Sequence, residues 1–196
     1  GTPAVKFVAI FGGGIDPGDA SKGRHLYMVD IETGRTLWKR EVEGAVPSEP
    51  AAVDTDRDGF LDTVYVGTVA GYLYKVDIAT LADLDAATGR VENASEWAPF
   101  RVFDTGGRRI FFRPTVIFDG RTGRYAVAFG TGDREDLWSP ETPGADGRFY
   151  VLVDSGFEAG PSASGGAGTS VAPLDETSLE PIDAEAAATG GSFLAA

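Results

Sequence analysis

The chain has 196 residues, with 17 basic and 30 acidic side chains and a net charge of −13. That balance argues against nucleic acid or an anionic membrane surface as a partner, because both need basic patches. There is no cysteine, which excludes disulfides and thiolate metal sites, and no run of about 18 apolar residues is present to cross a membrane as a helix.

The chain opens Gly-Thr-Pro and moves straight into a strand-like run, with no signal-peptide pattern and no initiating Met. On that ground it reads as an excerpt or a processed product. Short runs rich in Val, Ile, Phe, Tyr and Thr then alternate with Gly, Pro and Asp punctuation, the pattern of β-strands. In order, the expected strands lie in FVAIFGGG (7–14), HLYMVDIETG (25–34), RTLWKREVEG (35–44), SEPAAVDTDRDG (48–59), TVYVGTVAG (63–71), YLYKVDIATL (72–81), FRVFDTG (100–106), RPTVIFDGRTG (113–123), YAVAFGTGD (125–133) and RFYVLVDSG (148–156). Helix signals are confined to 80–88 and 182–188, and both are weak.

Aligned on Gly12, Gly67 and Gly130, these runs form an internal repeat. The unit is a strand, an acidic turn, a strand ending in glycine, a loop, a strand ending in Val-Asp or its like, a turn and an outer strand. Four sequential antiparallel strands describe a propeller blade, which buries both faces only by stacking on neighbours. The expected fold is therefore all-β: a partial β-propeller of about three four-stranded antiparallel blades over residues 1–157. The first unit lacks its leading strand and the third its outer strand. Three blades do not close a propeller, so the chain reads as an arc of a longer protein. Residues 158–196, acidic and rich in Gly, Ala and Ser, read as a low-complexity insertion or linker, mobile in part.

The most informative stretch is DTDRDGFLD, residues 54–62. Asp54, Asp56, Asp58 and Gly59 match the start of an EF-hand loop. The match then fails, since Tyr65 stands where the bidentate Glu belongs and strands, not helices, flank the loop. A nine-residue loop between strands is compact enough to wrap one ion. Side-chain oxygens of Asp54, Asp56, Asp58 and Asp62 and the carbonyl of Phe60 supply hard donors, and Gly59 permits a sharp turn. Without nearby His or Cys, zinc and copper are disfavoured, and Ca²⁺ suits the donor set better than Mg²⁺. The bland alternative is an acidic, solvated turn.

Other features carry less. Residues 12–25 lack phosphate-loop spacing and read as an inter-strand loop. Asp133, Glu135 and Asp136 make a charged loop tip, or a second cation site or partner surface. His25 is the sole histidine and no nucleophile pairs with it, so the chain offers no enzyme site. Trp38, Trp97 and Trp138 are expected to pack blades.

The segment LYMVDIETGRTLWKREV (26–42) resembles the repeat of pyrroloquinoline-quinone-type propellers. The order of motifs from FVAIFGGG through VDTDRDGFLDTVYVGTVAGYLYKVD to RPTVIFDGRTGRYAVAFGTGDRED is more specific. Over residues 5 to about 155 it resembles the C-terminal propeller of PilY-type proteins, type IV pilus tip-associated adhesin and biogenesis factors. The resemblance implies a calcium loop whose ligands are Asp54, Asp56, Asp58 and Asp62 with the Phe60 carbonyl, and calcium occupancy linked to pilus extension against retraction. It implies an extracellular location at a pilus tip or bacterial surface, a part in twitching motility and adhesion, and as partners pilus subunits (minor pilins), other surface proteins and the remainder of its own propeller. It implies neither nucleic-acid binding nor membrane insertion. Two other readings stay open: a quinoprotein-like dehydrogenase propeller, and an integrin-like calcium-loop scaffold outside any pilus.

Overall fold

The computed structural model describes residues 5–78, 97–134, 147–154 and 174–179. They form eleven strands in three sheets, and the one helical element is a single 3-10 turn at Glu176–Ser178. The first sheet holds β1 (Val8–Gly12), β2 (His25–Asp30) and β3 (Thr36–Glu41) in that order. The middle sheet is a meander of β4 (Ala51–Val53), β5 (Thr63–Gly67), β6 (Tyr72–Asp77) and β7 (Phe100–Asp104), with β11 (Leu174–Asp175) added beside β7. The third sheet runs β8 (Thr115–Asp119), β9 (Arg124–Gly130), β10 (Phe149–Asp154). All pairings are antiparallel except β11 on β7. Ten strands thus match the ten runs expected from sequence, nine lying within them and β9 starting one residue early, at Arg124. Their sequential meander is that of propeller blades. The middle sheet has the full four-stranded blade, whereas among the described residues its neighbours show three strands each.

Strand alternation explains why the middle sheet feeds two cores, one on each face. Successive side chains point to opposite faces, and all of β5 is buried. Val64 and Val66 join Val76 and Tyr74 in a cluster with Leu26, Met28 and Trp38 of the first sheet. Tyr65 points the other way, joining Leu73 and Phe103 in a cluster with Val127, Phe129, Tyr150 and Leu152 of the third sheet. Each fully buried side chain of this size contributes roughly 1.5–3 kcal/mol through removal of apolar area from water. Trp38 and Trp97 lie in the first of these cores, as expected of blade-packing residues, while Trp138 falls outside the described residues. Close packing also fixes Gly67 at the end of β5, where a Cβ would meet Ile110 Cγ2 at 2.2 Å.

Among the described residues, the two outer sheets bury chiefly the face turned to the middle sheet. Phe11 and Tyr27 stack at 5.4 Å between centroids on the outward face of the first sheet. On the third, Ile117, Phe149 and Val151 are 54%, 73% and 38% exposed. The segments 80–88 and 182–188, where sequence gave helix signals, lie outside the described residues. Part of 158–196 is described, and it docks: Leu174–Asp175 pairs with β7, and Leu174 and Leu179 pack against the second core.

Candidate metal centre

The acidic loop is the connection between β4 and β5. The ladder closes at Val53↔Thr63, and Asp62 N donates to the Val53 carbonyl at 3.1 Å, so residues 54–62 leave and re-enter at one place. Inside that neck the carboxylates shape the backbone. Asp54 accepts from Arg57 N through Oδ1 (2.6 Å) and from Gly59 N through Oδ2 (2.8 Å). Asp56 Oδ1 accepts from Asp58 N (3.0 Å) and Asp58 Oδ1 from Phe60 N (2.8 Å). The bonds of Asp56 and Asp58 are Asx-type turns, in which a short carboxylate side chain holds the amide two residues on, whereas Asp54 reaches the amides three and five residues on. The sharp reversal places Gly59 at φ +92°, a left-handed conformation that glycine adopts at little steric cost.

The outcome is convergence. Asp54, Asp56 and Asp58 each offer an oxygen, and these atoms lie within 4.8 Å of one another. Among the described residues no Lys or Arg forms an ion pair with any of the three. Arg57, the cation inside the loop, lies instead over the Phe118 ring at 4.0 Å. Three like charges held together without a counter-ion among the described residues suit a hard, oxygen-seeking cation. Asp62 stands outside this trio. Its Oδ2 accepts from Thr55 N (2.5 Å), Thr55 Oγ1 (2.9 Å) and Asp56 N (3.3 Å), which ties the two arms of the loop together. Phe60 is 52% exposed, and its N–H is held by Asp58.

The corresponding turn of the third sheet gives a control within the molecule. There β8 and β9 are joined by Asp119–Gly123, closed by Gly123 N donating to the Asp119 carbonyl at 2.8 Å. Its single aspartate accepts from Arg121 N and Thr122 Oγ1, both at 2.9 Å, and those bonds hold its carboxyl below the usual range. A cap needs one carboxylate; the middle blade has gathered four.

The third sheet also grips the acidic loop. The Tyr125 hydroxyl donates to the carbonyls of Asp54 (3.3 Å) and Thr55 (3.2 Å), and its ring packs on Phe118 at 5.1 Å. Beneath the loop, Ile78 N donates to the Asp62 carbonyl at 2.6 Å and Thr63 Oγ1 to Asp77 at 3.4 Å. Lys75 lies 3.4 Å from Asp77 and 3.1 Å from Asp154 of β10, and the Tyr65 hydroxyl donates to Asp154. Burial pushes the Tyr65 phenol far above its ordinary value and raises the Asp77 carboxyl, the latter against the pull of Lys75. Sequence reading missed this network. Its one advance signal was the repeated aspartate closing β2, β6 and β10 at Asp30, Asp77 and Asp154.

The remaining candidates are dispersed. His25 sits on β2 with Tyr27 at 6.1 Å, its basicity reduced first by burial. Asp133 pairs with Arg109 at 2.9 Å, while Glu135 and Asp136 lie outside the described residues. The loop after β1 caps itself through Asp16 and Asp19, which accept from Gly18 and Ser21.

No family model matches the chain. It is similar to the type IV pilus biogenesis factor PilY1 of Pseudomonas aeruginosa, strains PAO1 and PAK, at 32% identity over 126 residues in each case. That alignment covers 55% of this chain and 11% of either relative, so the chain matches a small part of their length. The crystal structure of the Pseudomonas aeruginosa PilY1 C-terminal domain aligns with TM-score 0.48 and 26% identity, over 64% of this chain and 29% of that one. The resemblance to PilY-type proteins read from the motif order thus has a counterpart in curated relatives of that name.

Proposed function

We propose that the chain is a calcium-binding β-propeller element of a type IV pilus-associated protein at the cell surface or pilus tip. The observation that carries the calcium part is the convergence of Asp54, Asp56 and Asp58 oxygens within 4.8 Å. The pilus part rests on the similarity to PilY1. In this reading Asp54, Asp56 and Asp58 hold Ca²⁺, with Asp62 and the Phe60 carbonyl completing the shell. When bound, the ion supplies charge neutralisation and rigidity, not a reaction step, and the role is non-enzymatic. The chain's own residues do the rest. Tyr125 and Arg57 join the loop to the third sheet, so an ordered loop fixes how the two blades present their common surface to a partner. Minor pilins or other surface proteins are the proposed partners, and control of pilus extension against retraction, twitching motility and adhesion the proposed consequences.

Isothermal titration of the metal-free chain with Ca²⁺ and Mg²⁺ tests the first part. One calcium per chain is expected, at an affinity on the order of 10⁻⁴ M or tighter, with Mg²⁺ much weaker. Absence of a calcium isotherm refutes it. Co-precipitation with purified pilus subunits, in calcium and in EDTA, tests the second. Retention in calcium alone is expected, and no retention in either buffer overturns the pilus assignment while leaving the ion site standing.

A further inference from the structure

The open edge of the middle sheet is taken by a segment from far along the chain. Leu174 pairs with Phe103 and Asp175 with Asp104, in the parallel sense, on the outer strand β7. Two residues of ladder hold little by themselves, and the contacts that follow are of another kind. The Glu176 carboxylate accepts from Arg108 Nη1 at 2.7 Å, from Arg148 Nη1 at 2.5 Å and from the Tyr150 hydroxyl. Arg108 belongs to the turn after β7, whereas Arg148 and Tyr150 lie at the start of β10, so one carboxylate joins two sheets. Leu174 and Leu179 anchor the segment's ends on the core between those sheets.

The segment also keeps its own shape. Asp175 caps the 3-10 turn by accepting from Thr177 N at 2.9 Å, and Ser178 closes the capping box. Asp104 and Asp175, opposed in register, are each turned into a local cap, Asp104 accepting from Gly106 N at 2.8 Å. Added strand, charged anchor and flanking apolar contacts are the elements by which sheet edges recognise extended peptides. Two guanidinium groups and a phenol converging on one carboxylate form a specific receptor for it. Arg108 Nε adds a buried donor without an acceptor among the described residues.

We propose that the β7 edge and the Arg108–Arg148–Tyr150 notch form a binding site for an acidic strand segment of the pattern Leu-Asp-Glu, and that residues 174–179 are its resident, intramolecular occupant. The same segment of a second copy fits the site when the resident strand leaves. Residues 174–179 therefore guard an edge that otherwise joins copies by strand exchange. This inference does not depend on calcium.

The test uses the full chain carrying Leu174→Ser and Glu176→Lys, which empties the notch, and a fluorescent synthetic peptide spanning residues 172–181. Saturable binding to the variant is expected, with the parent at least about tenfold weaker because its own segment competes intramolecularly. A peptide with Gln at the Glu176 position is expected to bind about tenfold to a hundredfold more weakly, the loss of a charge-assisted contact. No binding to a variant that keeps its sheet circular dichroism overturns the proposal, as does equal binding of the Gln peptide. Should that variant lose its sheet signal, Glu176→Gln replaces it, read by hydrogen exchange at β7. Added wild-type peptide is expected to restore β7 protection, and failure to restore it overturns the proposal equally.

Discussion

Asp58 separates two tasks that a loop carboxylate performs. Its Oδ1 accepts from Phe60 N, a bond that an asparagine oxygen also makes, while its charge belongs to the converging trio. Asp58→Asn is therefore expected to leave metal-free stability within about 0.5 kcal/mol of the parent and to weaken calcium binding at least tenfold, about 1.4 kcal/mol, by titration calorimetry. Asp54→Ala differs, because Asp54 also holds Arg57 N and Gly59 N. It is expected to cost about 1–2 kcal/mol in EDTA as well, measured by urea unfolding. The spacing of the aspartates made the trio legible from sequence alone. The different posture of Asp62 was not, because Thr55, whose N–H and hydroxyl draw it to the neck, is silent as a motif residue. Lys75, Asp154 and Tyr65 were illegible for a related reason: their meeting depends on how one sheet stacks on the next.

At the level of elements, ten strands were readable because alternating apolar runs between Gly and Asp turns leave few other choices. The eleventh was not. A two-residue strand has no period, and its place is set by Glu176 and the distant Arg108 and Arg148. That attachment carries a pH signature. The Tyr150 hydroxyl foremost, then Arg108 and Arg148, hold the Glu176 carboxyl below its usual range. The groups facing it are the Arg108 and Arg148 guanidiniums and the Tyr150 phenol, which is pushed up to about 12 and stays neutral in acid. Of the neighbouring acids, Asp104 and Asp175 are occupied in local caps, the latter also held low by Thr177. A depressed carboxyl stabilises the folded state above its unfolded value, about 4.3 for Glu, and loses that contribution as pH falls through the folded one. Hydrogen-exchange protection of β7 is thus expected to be constant from neutral pH to about 5 and to fall below about 4.3, whereas Glu176→Gln is expected to show reduced protection throughout. The acidic loop has its own element-scale partner. Tyr125→Phe removes the hydroxyl donating to Asp54 and Thr55 and is expected to cost about 1 kcal/mol, measured by urea unfolding in saturating calcium.

Across the whole molecule, three stacked sheets place the stabilising contacts on both faces of the middle one. Leu73, fully buried there, is expected to cost about 2–5 kcal/mol on truncation to Ala. Ile117, 54% exposed on the third sheet, is expected to cost about 0.5 kcal/mol or less by the same urea assay. The acidic loop stands where the middle and third sheets meet, gripped by Tyr125 and Phe118 from one side and rooted in β4 and β5 on the other. A cation that orders it stabilises two sheets together. The most direct test of that account is the melting temperature of the full chain in EDTA and in calcium at about a hundred times its dissociation constant. Binding to the folded state alone contributes about 2.7 kcal/mol under those conditions, an upward shift of about 5–10 °C for a chain of this size. The account expects that shift in the parent and, for a tenfold loss of affinity, only about half of it in Asp58→Asn at the same calcium concentration, about 1.4 kcal/mol. Equal melting temperatures for the parent in the two buffers would contradict it.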